Sequence, residues 1–310
     1  MTTTTIDAAQ SDKISFPRAF WEFTRPHTII GTTLAVFVFY LLAVTAAGGR
    51  HDWVTLVVTY IASLSVNIYI VGLNQLTDDE IDKINKPYLP LAAGSFHWNT
   101  AVTIVCVTGI LGIGLAAWHG PYLLMTIGIV FALGSAYSLP PLRLKERPFW
   151  AASAITLARA VVGNAGVYLT YSHALTGEAV LPPSVLLFIG FMFGFCVVIA
   201  LMKDVPDLEG DKKHEISTFV VRLGAARVMF LCKMILTVSY LAIVAAAVVG
   251  VPGVNSWVIG LSHGGALTVM WLHGRNLNVN DADKVYGHYM ILWKLFYFEF
   301  FAFSAACLLA

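Results

Sequence analysis

Carboxylates spaced four residues apart in two distant segments offer the clearest chemistry in this sequence. Asn74, Asp78 and Asp82 form the first set, and Asp207 and Asp211 form the second. Side chains four residues apart share one face of an α-helix, so we expect each set to point in one direction. Mg²⁺ prefers oxygen ligands and is typically held by one or two carboxylates plus substrate phosphates. Two facing sets could therefore hold two Mg²⁺ ions around a diphosphate and promote its departure.

The two segments also resemble each other. One shift along the chain places Asp78 on Asp207, Asp82 on Asp211 and Lys83 on Lys212. This match predicts two four-helix halves with a ninth helix appended. Neither segment has surplus lysine, so we expect its carboxylates to remain unneutralised until a cationic group binds.

The composition indicates a membrane protein. Of 310 residues, 58% are hydrophobic and 12% are charged, the net charge is +1 and the mean hydropathy is +0.75. Ordinary soluble domains contain about 25% charged residues. A soluble enzyme, a disordered chain and a nucleic-acid-binding module are therefore excluded.

Apolar windows predict an all-α protein with nine transmembrane helices. A helix needs about 20 apolar residues to cross a bilayer. Residues 1–16 are polar and predict a disordered cytoplasmic tail, which leaves 17–310 as one transmembrane domain. The predicted spans are 28–47, 53–73, 97–118, 121–138, 149–171, 181–202, 226–249, 252–273 and 288–309.

Lysine and arginine indicate the orientation of these spans. With nine spans, nearly all such residues outside the windows fall on the side of the N-terminus, and the opposite side has Arg50 alone. Positive residues favour the cytoplasmic side. Both acid segments should therefore face the cytoplasm.

Other polar residues near these segments are candidate substrate ligands. Arg25 begins the first span and could bind a carboxylate. Arg159 lies near the middle of the fifth span, where an arginine normally faces a cavity or a partner, so we expect it and Asn164 to line a pocket. Asp204 could face the substrate or pair with Lys203. The remaining candidates are Asn67, Tyr137, Arg143, Lys145 and Lys212.

The motifs support a family resemblance. The pattern N74-x-x-x-D78-x-x-x-D82, with D207-x-x-x-D211 four helices later and Y137-S-x-P-P between them, resembles the UbiA superfamily of intramembrane prenyltransferases. Longer strings such as K203-D-V-P-D-x-E-G-D look like its homogentisate prenyltransferase branch, in particular the phytyltransferases. Gln75 stands where many relatives have Asp, and this too is similar to that branch.

The resemblance implies a fold, a reaction and a ligand set. The fold would be nine helices around a central cavity. The reaction would be Mg²⁺-dependent transfer of a phytyl group from phytyl diphosphate to homogentisate, with loss of CO₂ and diphosphate, giving the tocopherol precursor 2-methyl-6-phytyl-1,4-benzoquinol. The Mg²⁺-diphosphate ligands would be Asn74, Asp78, Asp82, Asp207 and Asp211. A bacterial inner membrane or a thylakoid membrane would be the location.

Three alternatives remain at this point. The donor could be geranylgeranyl or solanesyl diphosphate, because cavity length sets donor choice. The acceptor could be another ring, of the chlorophyllide or naphthoate type. A cation-coupled secondary transporter would also have paired acids and an internal repeat, but transporter sites usually lie near the bilayer midplane.

Overall fold

The structure, a computed structural model, describes residues 15–213, 217–275, 277–279 and 281–310. Across these ranges the chain forms helices, turns and bends without a strand, so the all-α prediction is confirmed. The predicted tail, 1–16, falls outside the described residues except for its last two. The first described helix, α1, is Phe16–Phe23.

Eight helices in the described ranges are long and apolar enough to cross a membrane. They match eight of the nine predicted windows. The window 252–273 forms an 18-residue helix, α13 (Ser256–His273), that is not among them, so the count of nine spans is not confirmed. The eight are α2 (Pro26–Ala46), α3 (Trp53–Thr77), α5 (Trp98–His119), α6 (Pro121–Ser138), the segment Pro148–Thr176, α9 (Pro183–Met202), α12 (Ala225–Val249) and α14 (Ala282–Leu308).

Short helices follow two of the spans and contain the acid segments. α4 (Asp79–Asn85) follows α3, and α10 (Leu208–Lys213) follows α9. α11 (Phe219–Leu223) then leads into α12. The predicted two-half repeat stays a prediction, but both acid segments do occupy the same kind of position, a short helix directly after a span.

The helix through the first acid segment is interrupted, contrary to the continuous helical face predicted for Asn74, Asp78 and Asp82. Asp78 ends α3 and precedes α4, with a non-helical backbone at φ −117°. The cause is local: α4 has three acids in its first turn, where the partial positive charge of a helix N-terminus stabilises them. A new helix start is therefore favoured here. Pro87 follows shortly after its end.

The fifth span is a single helix with a change of pitch. α7 (Pro148–Thr156) and α8 (Gly163–Thr176) are joined by a π-helical segment, Leu157–Val162. Such segments are rare and occur often at functional sites. Arg159 lies inside this one.

Close packing fixes the two spans that lead into the acid segments. A Cβ on Gly72 of α3 would lie 2.7 Å from Val105 of α5, so glycine lets these helices approach closely. α9 is the most buried of the eight spans, and its aromatic side chains pack against α2 and α14. Both acid segments therefore emerge from rigid supports.

Candidate active site

The first acid segment is held by cations from other parts of the chain. Asn74 Nδ2 donates to Asp78 Oδ2 at 2.7 Å. Lys145 Nζ lies 2.6 Å from Asp78 Oδ1 and also donates to Thr77 Oγ1 at 2.6 Å. Arg25, in the left-handed backbone region at φ 52°, donates to Asn74 Oδ1 at 3.3 Å. The side chain of Lys145 is only 9% exposed, so this pair is shielded from solvent.

The second acid segment meets the first through Asn85, the last residue of α4, and Lys86, the residue after it. Lys86 forms an ion pair with Asp207, and its Nζ lies 4.0 Å from Asp82 Oδ1. Asn85 Nδ2 donates to Asp211 Oδ1 at 3.3 Å. Two segments more than 120 residues apart in the sequence therefore form one cluster.

Burial makes two of these carboxylates hard to ionise. It raises the pKa of Asp82 to about 6, an effect opposed by Lys86 and Arg25. It raises the pKa of Asp211 to about 7, where Asp204 and Asp207 add repulsion. Burial also lowers the pKa of Lys145, although Asp78 opposes this. The cluster thus concentrates negative charge in a poorly solvated place and gains from added positive charge.

The oxygen ligands present fit a hard divalent cation. Asp82 Oδ2 is buried and has no hydrogen-bond partner among the described residues, so it is available to a metal. The described ranges contain no group of three or more His, Cys, Asp or Glu side chains positioned to hold an ion by themselves. An ion bound here would need water and substrate phosphates to complete its shell, as Mg²⁺ commonly does.

Further cations border the cluster. Arg143 has a left-handed backbone at φ 34°, donates to the Thr77 carbonyl at 3.4 Å and pairs with Glu146 at 3.1 Å. Lys203 pairs with Asp204 at 2.6 Å and lies 5.9 Å from the centre of the Tyr137 ring. Asp204 thus takes the partner that the sequence offered as its alternative to the substrate.

Arg159 lies in an aromatic cluster deeper in the bundle. Its guanidinium is 5.2 Å from the centre of the Trp293 ring, which also contacts the His27 ring at 4.9 Å. Tyr297 donates to the His27 carbonyl at 2.8 Å. None of the ion pairs within the described ranges involves Arg159. Because an isolated charge at this depth is costly, the cluster suits an anionic aromatic ligand.

Several candidates take positions that differ from the expectation. The acid segments are not free of cations, because Lys86, Lys145 and Lys203 already pair with their carboxylates. Arg25 was expected to be able to bind a carboxylate, and in the structure its guanidinium donates to the amide oxygen of Asn74. Three candidates contact the helices around them or solvent: Asn67 donates to Thr28 Oγ1 at 2.9 Å, Asn164 donates to the Ala160 carbonyl at 3.1 Å, and Lys212 is exposed. Their roles toward a substrate stay predictions.

Three residues of the site, Lys86, Asn85 and Trp293, were not among the candidates predicted from the sequence. Lys86 stands four residues after Asp82, a spacing that often indicates an ion pair on a helix, so a signal was present. Its partner Asp207 could not be identified from spacing. Trp293 has no local signal among the many aromatic residues of the chain.

Comparison with known proteins identifies relatives over most of the chain. The UbiA prenyltransferase family model matches residues 34–295. Homogentisate phytyltransferase of Synechocystis sp. is 37% identical over 93% of this chain and 95% of its own length. Homogentisate geranylgeranyltransferase of Triticum aestivum is 40% identical over 92% of this chain and 71% of its own length.

A solved structure shares the fold. A UbiA homolog from Archaeoglobus fulgidus, bound to GPP and Mg²⁺, superposes with a TM-score of 0.65 and 17% identity, over 93% of this chain and 99% of that one. At that identity the likeness establishes the architecture alone.

Proposed function

The chain belongs to the UbiA prenyltransferase family and is an integral membrane protein, and on that premise we propose that it transfers a phytyl group from phytyl diphosphate to homogentisate. The products are 2-methyl-6-phytyl-1,4-benzoquinol, CO₂ and diphosphate. The observation that supports this most strongly is the meeting of the two acid segments through Lys86, Asp82 and Asp207. That meeting creates one site where a metal-bound diphosphate can bind.

Mg²⁺ is the cofactor that these residues suit. Its ligands would be Asn74, Asp78, Asp82, Asp207 and Asp211, of which Asp82 has an unpartnered oxygen. A bound ion would neutralise the diphosphate and make it a better leaving group. The Mg²⁺ and GPP of the archaeal homolog support the same donor class for this chain.

The cations around the acids have a second use in this proposal. Lys86, Lys145 and Lys203 each pair with a carboxylate in the described structure. If a bound metal neutralised Asp78 and Asp207, the ammonium groups of Lys145 and Lys86 would be free to donate to the diphosphate oxygens. Charge-assisted hydrogen bonds of this kind stabilise negative charge as the carbon–oxygen bond breaks.

Arg159 is the proposed partner of the acceptor carboxylate. It lies beside Trp293 and His27, so an aromatic acid could stack there while its carboxylate meets the guanidinium. The electron-rich hydroquinone ring would then attack the allylic carbon. The surrounding apolar side chains exclude water, which would otherwise react with the allylic carbocation that forms as diphosphate departs.

Geranylgeranyl transfer to homogentisate is the second candidate, because the wheat geranylgeranyltransferase is 40% identical. The enzyme assignment sets the transporter alternative aside. The excess of lysine and arginine at the acid-rich end supports a cytoplasmic location for the site.

An assay with purified protein tests the proposal. Homogentisate and Mg²⁺ are offered phytyl, geranylgeranyl or solanesyl diphosphate separately, and prenylquinols are detected by mass. We expect the phytyl product to form fastest and EDTA to abolish its formation. Failure of all three donors, or full turnover without divalent metal, would refute the proposal.

A further inference from the structure

A cavity outside the acid cluster, with mostly apolar walls and two polar side chains, lies among α9, α12, α13 and α14. It is a cavity of about 180 Å³ whose walls include Lys233, His288, Met202 and Gly274. Met202 ends α9 immediately before the second acid segment, so the pocket opens at the same end of the bundle. Its volume is several times the roughly 30 Å³ of one water molecule, so a phosphate-sized group fits.

Lys233 gives the pocket a positive charge that no carboxylate of the described residues neutralises. None of the ion pairs within the described ranges involves it. Its Nζ lies 3.7 Å from the centre of the Trp271 ring, and Trp271 Nε1 donates to Thr237 Oγ1 at 3.0 Å. The lysine head is therefore held in place about two turns into α12, which reduces the entropy lost on ligand binding.

Two histidines supply a hydrogen-bond donor. His273 Nδ1 and His288 Nδ1 are 3.0 Å apart, so in the neutral pair one nitrogen donates and the other accepts. The ring that accepts at Nδ1 has its proton on Nε2. When His288 is that ring, its Nε2–H is a donor at the pocket wall, and an anion there favours this tautomer.

Gly274 keeps that edge of the ring accessible. A Cβ at position 274 would lie 3.3 Å from His288 Cε1 and 3.8 Å from Nε2. The nearby acids do not cancel the positive charge of the pocket, because Asp281 pairs with Lys284 at 3.0 Å and Asp283 is exposed.

We propose that this pocket binds a phosphate-bearing anion, with Lys233 supplying the charge and His288 the hydrogen bond. The exposed side chains beside it are large and apolar: Phe230 is 61% exposed and Leu272 is 64% exposed. Such a surface suits acyl chains, and basic pockets between transmembrane helices at this depth bind lipid headgroups. The anion is therefore the headgroup of an anionic membrane lipid, with dissolved phosphate as the other source of the same chemistry.

Native mass spectrometry of the purified, delipidated full-length protein tests this. Phosphatidylglycerol, phosphatidylcholine and inorganic phosphate are added separately to the wild type, to Lys233→Met and to Arg227→Met. Methionine keeps the apolar stem that packs on Trp271. Arg227 is an exposed cation on the same helix and provides the matched control.

We expect the wild type and Arg227→Met to retain phosphatidylglycerol in preference to phosphatidylcholine, and Lys233→Met to bind it at least tenfold more weakly. His288→Phe, which keeps the ring volume, should weaken binding as well and covers a folding defect of the lysine variant. Phosphate binding that depends on Lys233 without lipid preference would assign the site to the dissolved anion. If Lys233→Met and His288→Phe bound phosphatidylglycerol and inorganic phosphate as well as the wild type does, the proposal would be overturned.

Discussion

Two regions of this protein bury a carboxylate among helices, and the two carboxylates differ in the partners of their oxygens. Glu299 of α14 is fully buried; Tyr240 of α12 donates to its Oε1 at 2.6 Å, and His263 Nε2 of α13 lies 2.9 Å from its Oε2. Asp82, in the acid cluster, is also buried, yet its Oδ2 has no partner among the described residues. Neither Glu299 Oε2 nor Asp82 Oδ2 accepts a hydrogen bond from the described residues, but Glu299 Oε2 has an ion-pair neighbour in His263, and Asp82 Oδ2 has none.

The difference separates a structural use of charge from a functional one. Around Glu299 the two partners come from two neighbouring helices, so the group joins α12, α13 and α14. The one ion-pair partner of Asp82 in the described structure is Lys86, whose long side chain follows a short helix and can move when a ligand arrives. A buried polar group is costly when nothing compensates its charge, so the Asp82 oxygen without a hydrogen bond or an ion-pair neighbour is where binding energy is available.

Asp78→Asn gives the largest expected effect and tests the functional half of the comparison. Removing a metal ligand and its charge should lower turnover by about 10²–10³-fold. The thermal midpoint should change little, because Asn74 and Lys145 keep other contacts. Prenylquinol formation measures this. Glu80→Gln, with a side chain 81% exposed, is the control that should keep full activity. Wild-type turnover in Asp78→Asn would remove this residue from the metal site.

Glu299→Ala tests the structural half. Loss of one partner from a buried, paired group costs about 3–5 kcal/mol, so the variant should inactivate at much lower temperature. At low temperature the folded enzyme should keep its KM for both substrates, because Glu299 touches neither. Glu299→Gln preserves the acceptor for Tyr240 and should lose less. If Glu299→Ala instead slows turnover without loss of stability, the two regions do not differ in the way proposed.

A pH series sharpens the comparison further. The raised pKa values of Asp82 and Asp211, about 6 and about 7, mean that both groups bind protons in the metal-free protein below those values. Mg²⁺ must displace these protons, so its affinity should fall by up to about tenfold per pH unit below about pH 7.

The sign of the stability effect is set by the same shifts. A carboxyl whose pKa is raised by folding stabilises the protein at low pH and loses that contribution as pH rises through the folded value. The thermal midpoint without Mg²⁺ should therefore decline from about pH 4, where the unfolded carboxyls ionise, to about pH 7, where the folded ones have ionised too, and added Mg²⁺ should reverse the decline. Asp82→Asn should flatten the profile; an unchanged profile would contradict the assignment.

Lys86→Met should have the smallest effect of these variants, a modest drop in the thermal midpoint of the metal-free protein. Without this lysine, Asp82 and Asp207 repel each other, and the metal-free protein should lose roughly 2–4 °C of thermal midpoint for about 1 kcal/mol. Mg²⁺ should restore the loss by replacing the missing charge. Lys83→Met, on the same short helix but paired with Asp79 and Glu80, should behave like the wild type. A deficit that persists in Mg²⁺ would assign Lys86 a purely structural role.

Most of the fold could be predicted from the sequence because membrane spans depend on local hydropathy. Prediction was less reliable where geometry depends on tertiary partners. The ion pairs of Asp78 with Lys145 and of Asp207 with Lys86 join distant segments, which no local pattern indicates. Spacing alone predicted that the acids share a site, but not that lysines hold them in the absence of metal. The Glu299 network has no sequence signal, because its members lie on three helices with unrelated spacing.

The π-helical segment Leu157–Val162 has a consequence for comparing homologues. A π turn accommodates one more residue than an α turn, and each extra residue rotates the remainder of the helix by about 100°. A relative that lacked one residue here could form a regular helix of matching length whose guanidinium faced a different neighbour than Trp293. Alignments that place a single-residue gap in this stretch would therefore mark a change in the side chains that the fifth span presents to the interior.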